Sequence, residues 1–260
     1  MNLIRCLFVC VAVTPAAFGG SVVTSFQAPG ATVTGLAAGD DLLWVLDPDL
    51  EVIFGLEVSG SDYTIVEIID TQLSEPDNLA YAQGTLYYTQ QGSSVIHSVS
   101  ADGSARDSMD VSSLGLSSIS GLGYENHNFG GNACMYVLDD VQEKVFNIYP
   151  LDDFSSIEEI ADTGLLPQFF DVAGSGENSQ VWIACGSEED NFQLWDSSGE
   201  LWGFSVPEAP MVTEIAQDEI MYPMEFMWFY DQTYNTILLV YYGMSVEGAT
   251  WGRIKSTFFF

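Results

Sequence analysis

The chain has 260 residues, of which 47% are apolar and 13% aromatic, which is enough for a packed core and excludes a disordered acidic chain. Its 37 acidic residues face five basic ones, and the net charge of -32 at pH 7 excludes nucleic acid and anionic membrane surfaces as partners. Two explanations of this charge stay open: a surface suited to salty or open water, or clustered carboxylates that bind divalent cations.

The first residues predict a cleaved signal peptide. Arg5 precedes an apolar run that is shorter than the roughly 20 residues of a membrane-spanning helix. Ala17 and Gly19 then place small side chains at the positions that signal peptidase prefers. We therefore expect residues 1–19 to be removed and residues 20–260 to form one secreted or periplasmic domain. No later segment predicts a membrane span.

The rest of the chain resembles itself at intervals of 43 residues. Leu36, Leu79 and Leu122 are separated by this interval, and so are Trp44 and Tyr87. A period in the forties, with short strands and Gly or Asp turns, is typical of the four-stranded blade of a propeller. The pattern therefore predicts an all-β protein, a β-propeller of four-stranded blades, with little helix because no long run has a period of 3.6.

Four blades can be delimited in chain order, each with an inner strand, a strongly apolar second strand and two outer strands. They cover residues 34–69, 78–111, 119–161 and 169–206, and the third carries an insertion at 126–132. Two cysteines remain after the signal peptide, Cys134 and Cys185. The register places them near opposite faces of neighbouring blades, too far apart for a disulfide, so we expect two buried thiols.

The fifth unit has two possible registers. Residues 210–218 resemble the start of the first unit and are one candidate for its inner strand. Alternatively, 224–230 and 236–242 form the inner and second strands. Five blades are favoured, since six would require residues 211–242 to be divided in two. Residues 22–26 have no partner of their own, so we expect them to complete the last blade and close the ring, which removes a free sheet edge.

Two segments carry a resemblance to known repeats. The sequence Leu-Tyr-Tyr-Thr-Gln-Gln-Gly at 86–92 resembles the YWTD repeat of lipoprotein-receptor propellers, although Tyr88 and Gln90 stand where that family has Trp and Asp. The first unit, with Gly-Leu-Ala at 35–37 and Leu-Trp-Val-Leu-Asp at 43–47, resembles NHL-type and virginiamycin-lyase-type propellers. These families use the fold for binding as often as for chemistry, so the resemblance implies a fold and no single activity.

Gluconolactonase-like propellers, which belong to the same broad class, hold a divalent metal on the axis with a Glu, two Asn and an Asp at the starts of inner strands. Asn78 stands where one such Asn would lie. Asp171 and Glu125 are the nearest acids of later units, at other offsets, and Thr34 stands where the Glu is expected. The alternative is that Asp77 and Asn78 form a turn that caps the inner strand.

A second possible metal position follows the second strand of two units. Asp47 with Asp49 and Asp139 with Asp140 recur there, which makes Ca²⁺ the cofactor to consider, with turn formation as the alternative. The two histidines do not stand at ligand spacing, and no motif of a hydrolase or phosphate-binding loop is present, so no catalytic residue is assigned.

The sequence favours an exported, monomeric, non-catalytic propeller that binds an extracellular protein or glycan. Its alternative is a metal-dependent hydrolase or lyase of the gluconolactonase-like or virginiamycin-lyase-like kind. The enzyme requires at least three carboxylate or amide groups that converge on the axis, whereas a binding module requires none. The candidate binding residues are Asn78, Tyr124, Glu125, Asp171, Trp202, Tyr234 and Trp251.

Overall fold

The computed structural model describes residues 21–125, 133–163, 170–174, 180–185, 192–196, 198–217 and 226–242, which form a five-bladed β-propeller. Each blade is a four-stranded antiparallel sheet. One turn of 3₁₀ helix, Ser112–Leu114, is the only helical element in these ranges. They contain no helix long and apolar enough to cross a membrane. The predicted fold class and blade number are confirmed. The predicted signal peptide lies outside the described residues.

Four blades are built from consecutive strands that run from the axis to the rim. The described part begins with β1 (Ser21–Gln27), which belongs to the fifth blade. The first blade contains β2 (Gly35–Gly39), β3 (Leu42–Asp47), β4 (Val52–Ser59) and β5 (Asp62–Asp70), and the second contains β6 (Pro76–Ala82), β7 (Thr85–Gln90), β8 (Val95–Ser100) and β9 (Arg106–Asp110). The third contains β10 (Ile119–Glu125), β11 (Cys134–Asp139), β12 (Lys144–Tyr149) and β13 (Ser156–Asp162), and the fourth contains β14 (Asp171–Gly174), β15 (Val181–Ala184), β16 (Phe192–Asp196) and β17 (Gly199–Phe204).

The fifth blade closes the ring with the first strand of the chain. Its inner strand is β18 (Val212–Gln217), followed by β19 (Phe226–Asp231) and β20 (Thr236–Tyr241), and β1 pairs antiparallel with β20 as the outer strand. The predicted closure is confirmed. Of the two registers, the one with residues 224–230 as the inner strand is wrong, because β19 lies between β18 and β20 and pairs with both.

The core lies between neighbouring blades. On β3, Leu43 and Val45 pack toward the fifth blade, whereas Trp44 and Leu46 pack toward the second. Both faces of a second strand are therefore covered, and this explains why these strands are continuously apolar and not alternating. Cys134 and Cys185 are both buried and are not joined by a disulfide, as expected.

The inner strands approach each other closely around the axis. A Cβ atom added to Gly35 would lie 2.6 Å from the Cβ of Leu79, and one added to Gly123 would lie 2.6 Å from the carbonyl oxygen of Val172. These distances are shorter than van der Waals contact, so only glycine allows the two backbones to approach. Glycine at these positions is thus a requirement of a ring with only five blades.

Candidate functional site

The ring has two faces, because its inner strands β2, β6, β10, β14 and β18 follow one another around the axis and run in the same direction. We call the face at which they begin the start face and the opposite one the end face. The registers with the second strands place one residue of each inner strand at an equivalent position next to the start face. These five residues are Gly35, Asn78, Gly121, Asp171 and Glu214.

Asp171 therefore lies in register with Asn78, and the offset derived from the sequence is wrong. The reason is that the interval from Leu122 to Val172 is seven residues longer than the repeat of 43, since the third unit carries the insertion at 126–132. Glu125, by contrast, ends β10 and lies at the end face.

The carboxylate of Asp171 spans the axis between two blades. Its Oδ1 accepts a hydrogen bond from the backbone N–H of Leu122 at 3.3 Å, and its Oδ2 accepts one from Ile215 at 3.1 Å. These donors belong to the third and fifth blades, on either side of the blade that carries Asp171. The side chain is fully buried, and its bonds join three blades next to the start face.

Two further acids lie beside Asp171, and we call Asp77, Asp171 and Glu214 the axial acid cluster. The side chain of Glu214 is 6% exposed, and its Oε2 is buried with no hydrogen-bond partner. The hydroxyl of Thr213, the preceding residue, is also buried without a hydrogen-bond partner. An unpartnered carboxylate oxygen inside a ring of acids is costly unless a proton or a cation compensates it.

The electrostatics of the axial acid cluster reflect this crowding. The pKa of Asp77 is raised to about 6, mainly by burial. A hydrogen bond from the backbone N–H of Asn78 lowers the pKa in part, and the nearby charge of Asp140 raises it. Burial and neighbouring acids also raise the pKa values of Asp171 and Glu214 well above the ordinary range. Backbone N–H groups stabilise the ionised form of Asp171 and none stabilises Oε2 of Glu214, so Glu214 is the member that takes up a proton first.

Asn78 connects three blades. Its backbone has φ 54°, a left-handed conformation that Asn tolerates, and its N–H donates to the carbonyl of Thr34 at 2.7 Å. Its side-chain amide donates to the hydroxyl of Thr89 at 2.8 Å and to the carbonyl of Ile119 at 3.2 Å. The residue therefore holds the first, second and third blades together at the start face.

The recurring aspartates after the second strands stabilise turns. Oδ1 of Asp47 accepts hydrogen bonds from the backbone N–H groups of Asp49 and Leu50, both at 2.9 Å. Asp139 is also buried, and its Oδ1 accepts the backbone N–H groups of Val141 at 3.1 Å and Gln142 at 2.9 Å. This is the Asx-turn role that sequence analysis kept as the alternative to Ca²⁺. Asp49 and Asp140, the second members of the two pairs, are exposed.

A third copy of this aspartate, Asp231, was missed in the sequence. It is the last residue of β19, is fully buried, and accepts the N–H groups of Met211 at 3.0 Å and Tyr234 at 3.2 Å. Its position at the end of a second strand, like that of Asp47, was the available signal. Among the residues that the structure describes, no group of three or more His, Cys, Asp or Glu side chains is arranged to hold a metal ion.

The remaining candidates do not come together. Tyr124 is half-buried and lies with Glu125, which is fully buried, at the end face. Tyr234 lies in a turn at the start face with 61% of its side chain exposed. Trp202 belongs to β17, but its side chain lies outside the described part, and so does the whole of Trp251.

A cavity of about 220 Å³ follows the axis toward the end face. Small residues of the inner strands line it, among them Ala37, Gly123 and Ala173. Gln217 stands at its end, and both polar atoms of the Gln217 amide are buried without a hydrogen-bond partner. The axis therefore has an acidic end at the start face and a mostly uncharged cavity at the other.

Glu214 is the member of the axial acid cluster that sequence analysis does not identify. Its signal was present, because aligning Ile215 with Leu36 in the first register of the fifth unit places Glu214 at the position of Gly35. That register was left open, and the residue was not singled out.

No protein-family model and no curated protein matches the sequence. Solved structures share its fold. Glutaminyl cyclase from Myxococcus xanthus has a TM-score of 0.64 at 11% identity, over 85% of this chain and 95% of that chain. Regucalcin from Agrobacterium tumefaciens, described as a calcium-binding protein, has a TM-score of 0.54 at 11% identity, over 87% and 96%. A chain of the nidogen/laminin complex has a TM-score of 0.52 at 16% identity, over 80% and 74%.

These neighbours are β-propellers of the NHL/YWTD and regucalcin-like types, so the resemblance inferred from the repeat is confirmed at the level of the fold. At such low identity they establish the architecture alone. They include enzymes and binding proteins, and neither role follows for this chain from the likeness.

Proposed function

We propose that this chain is an exported propeller that binds an extracellular protein without catalysis, and that the partner places a lysine or arginine side chain at the axial acid cluster. The observation that carries the proposal is the convergence of Asp77, Asp171 and Glu214 around a buried carboxylate oxygen without a partner. A cation removes the repulsion between these acids and supplies the missing contact.

The described part of the chain offers no internal cation for this purpose. Lys144 is engaged at the rim, where its Nζ lies 2.7 Å from Oε2 of Glu159. The guanidinium of Arg106 donates to the carbonyl oxygen of Asp70 and to the hydroxyl of Tyr88. The net charge of -32 additionally favours the approach of a basic partner from solution.

A protein suits this site better than a glycan. The side chain of lysine or arginine brings a full positive charge into an acidic site, whereas a neutral glycan brings only hydroxyl groups. The likeness to a chain of the nidogen/laminin complex supports a protein partner, because that propeller-like chain was solved in a protein complex. Export rests on the signal-peptide pattern of residues 1–19.

The proposal is tested with trilysine as the probe, titrated by calorimetry at two salt concentrations. We expect Asp77→Asn and Glu214→Gln each to weaken binding at least fivefold. Asp41→Asn is the matched control, since Asp41 is exposed in an end-face turn with φ 63°, where Asn is tolerated. This control should change the Kd less than twofold, and binding to the wild type should weaken from pH 7.5 to pH 5 as protons compete for the cluster.

Equal weakening by all three substitutions would mean that trilysine responds only to net charge, and the proposal would be wrong. A parallel titration with a chitin trisaccharide distinguishes a glycan partner from a protein partner. Saturable binding of the sugar without binding of trilysine would contradict a protein partner.

A metal-dependent hydrolase is the second candidate, because three acids do meet on the axis at the starts of inner strands, as that enzyme requires. The calcium-binding description of regucalcin points the same way. The described acids are not in a metal-holding arrangement, so we expect 2 mM Ca²⁺ to shift the melting temperature by less than about 1 °C relative to chelator. A rise of several degrees that Glu214→Gln abolishes would favour the enzyme.

A further inference from the structure

The outer strand of the first blade has an unusual edge. With nine residues, β5 is the longest strand of the described chain, and no described strand pairs with its outer side. Its central sequence, Thr-Ile-Val-Glu-Ile-Ile at 64–69, is rich in β-branched residues, which favour extended backbone. Outer edges of this kind are normally shortened, bulged or protected by lysine or proline. β5 contains neither lysine nor proline, and its one irregularity against β4 is a bulge at Val66.

Large apolar side chains are exposed along this strand. Ile65, Val66 and Ile68 are 40%, 43% and 63% exposed, whereas the neighbouring Ile69 is 4% exposed. Ile65 pairs with Leu56 and Ile68 pairs with Phe54, and both partners belong to the core shared with the fifth blade. The apolar face of the first blade thus continues beyond the part that the fifth blade covers.

Acidic side chains accompany this apolar strip. Asp62, Glu67 and Asp70 are exposed at its two ends and its centre, and none of them forms an ion pair with another described residue. Arg106 lies at the Asp70 end, where it donates to the Asp70 carbonyl oxygen. The strip therefore combines an unpaired backbone edge, apolar side chains and an excess of negative charge.

We propose that the outer edge of β5 binds an extended segment of a partner protein by strand addition, and that the segment carries basic residues among β-branched or aromatic ones. Backbone hydrogen bonds to the edge supply the affinity, and contacts with Ile65 and Ile68 set the register. The charge of the strip selects the basic residues. This surface lies at the rim and is independent of the axial acid cluster.

A second copy of the chain is a poor occupant of this edge. An antiparallel pair of β5 strands centred on Val66 would place Asp62 opposite Asp70 at both ends. Like charges directly opposite each other destabilise a pair of strands, and the net charge of -32 on each copy adds to the repulsion.

The test uses a fluorescein-labelled peptide, Lys-Val-Thr-Val-Lys-Val-Thr-Val-Lys, with a version that carries two prolines as the negative probe. We expect saturable binding of the first peptide alone, and slower hydrogen exchange of the β5 amides in its presence. Ile68→Lys should weaken binding at least tenfold. Val141→Lys is the matched control, because Val141 is an exposed apolar residue in a distant turn, and it should change the Kd less than twofold.

Three results would overturn the proposal. Equal weakening by the two substitutions would show general attraction between charges. A dimer that Ile68→Lys dissociates would make a second copy the occupant. Protection of the β5 amides without peptide, lost when the chain is ended after residue 242, would assign the edge to the chain's own last segment.

Discussion

Asp171, Asp77 and Glu214 lie together but differ in their hydrogen-bond partners and in their burial. Asp171 binds backbone groups of two other blades and has a structural role, whereas Oε2 of Glu214 has no partner in the described part of the protein. Asp77 lies nearer to solvent, and its pKa of about 6 places its titration in an accessible range.

Stability should fall as the pH rises through this range. The pKa of Asp77 is about 6 in the folded protein and 3.8 in an unfolded chain, so the folded form binds more protons between these values. Asp171 and Glu214 are shifted in the same direction. At about 1.4 kcal/mol per pKa unit, ionisation of Asp77 costs at most about 3 kcal/mol.

We therefore expect urea unfolding to show lower stability at pH 7.5 than at pH 4.5, and a smaller loss for Asp77→Asn, which removes one of the titrating groups. Repulsion between the acidic side chains grows with pH in the wild type and in Asp77→Asn alike. The difference between their losses of stability therefore measures the contribution of Asp77. Below about pH 4 the trend should reverse, since hydrogen bonds from Ser100 and Ser104 lower the pKa of Asp102 to about 2 and that contribution is lost on protonation. An identical loss in the two proteins would contradict the assignment.

At the scale of elements, the decisive feature is the contact between neighbouring inner strands. The glycines of β10 allow it to approach β14, and the two positions differ in how much space they have. A Cβ on Gly123 would lie 2.6 Å from the carbonyl oxygen of Val172, whereas one on Gly121 would lie no closer than 3.0 Å to its nearest neighbour, the Cα of Asp171.

Gly123→Ala should therefore lower the free energy of unfolding more than Gly121→Ala, by about 3 against about 1 kcal/mol, because the added Cβ overlaps backbone atoms more deeply at Gly123 and needs a smaller shift at Gly121. Neither glycine has a positive φ, so alanine causes no backbone strain at either position. The two variants therefore differ only in the space available for the added Cβ atom. Chemical denaturation of the two variants measures the difference. Equal costs, or a larger cost at Gly121, would contradict the close approach of β10 and β14.

The strands themselves were predictable wherever an apolar second strand is flanked by turn residues, as in β3 and β11. The register of the fifth blade was ambiguous in the sequence because β19 and β20 both consist mostly of apolar residues. Either strand has the pattern expected of a second strand. Pairing on both sides of β19 resolved the register.

At the scale of the whole molecule, the chain combines a closed ring with a strongly acidic surface. β1 completes the fifth blade by covering the outer side of β20, but each blade keeps an outer edge, and β5 is the longest of the outer strands described. The two proposed sites, one on the axis and one on the rim, would both select basic segments.

The amino-acid sequence by itself predicted the blade architecture and the closure and favoured five blades, because strand patterns and turn residues act locally and recur with the period of the blade. Only the tertiary structure decided which acids meet. Asp77, Asp171 and Glu214 are far apart in the chain, and whether they share the axis depends on the length of every intervening blade. For the same reason Asp47 and Asp139, which recur in sequence, do not converge: each accepts hydrogen bonds from the backbone N–H groups of its own turn.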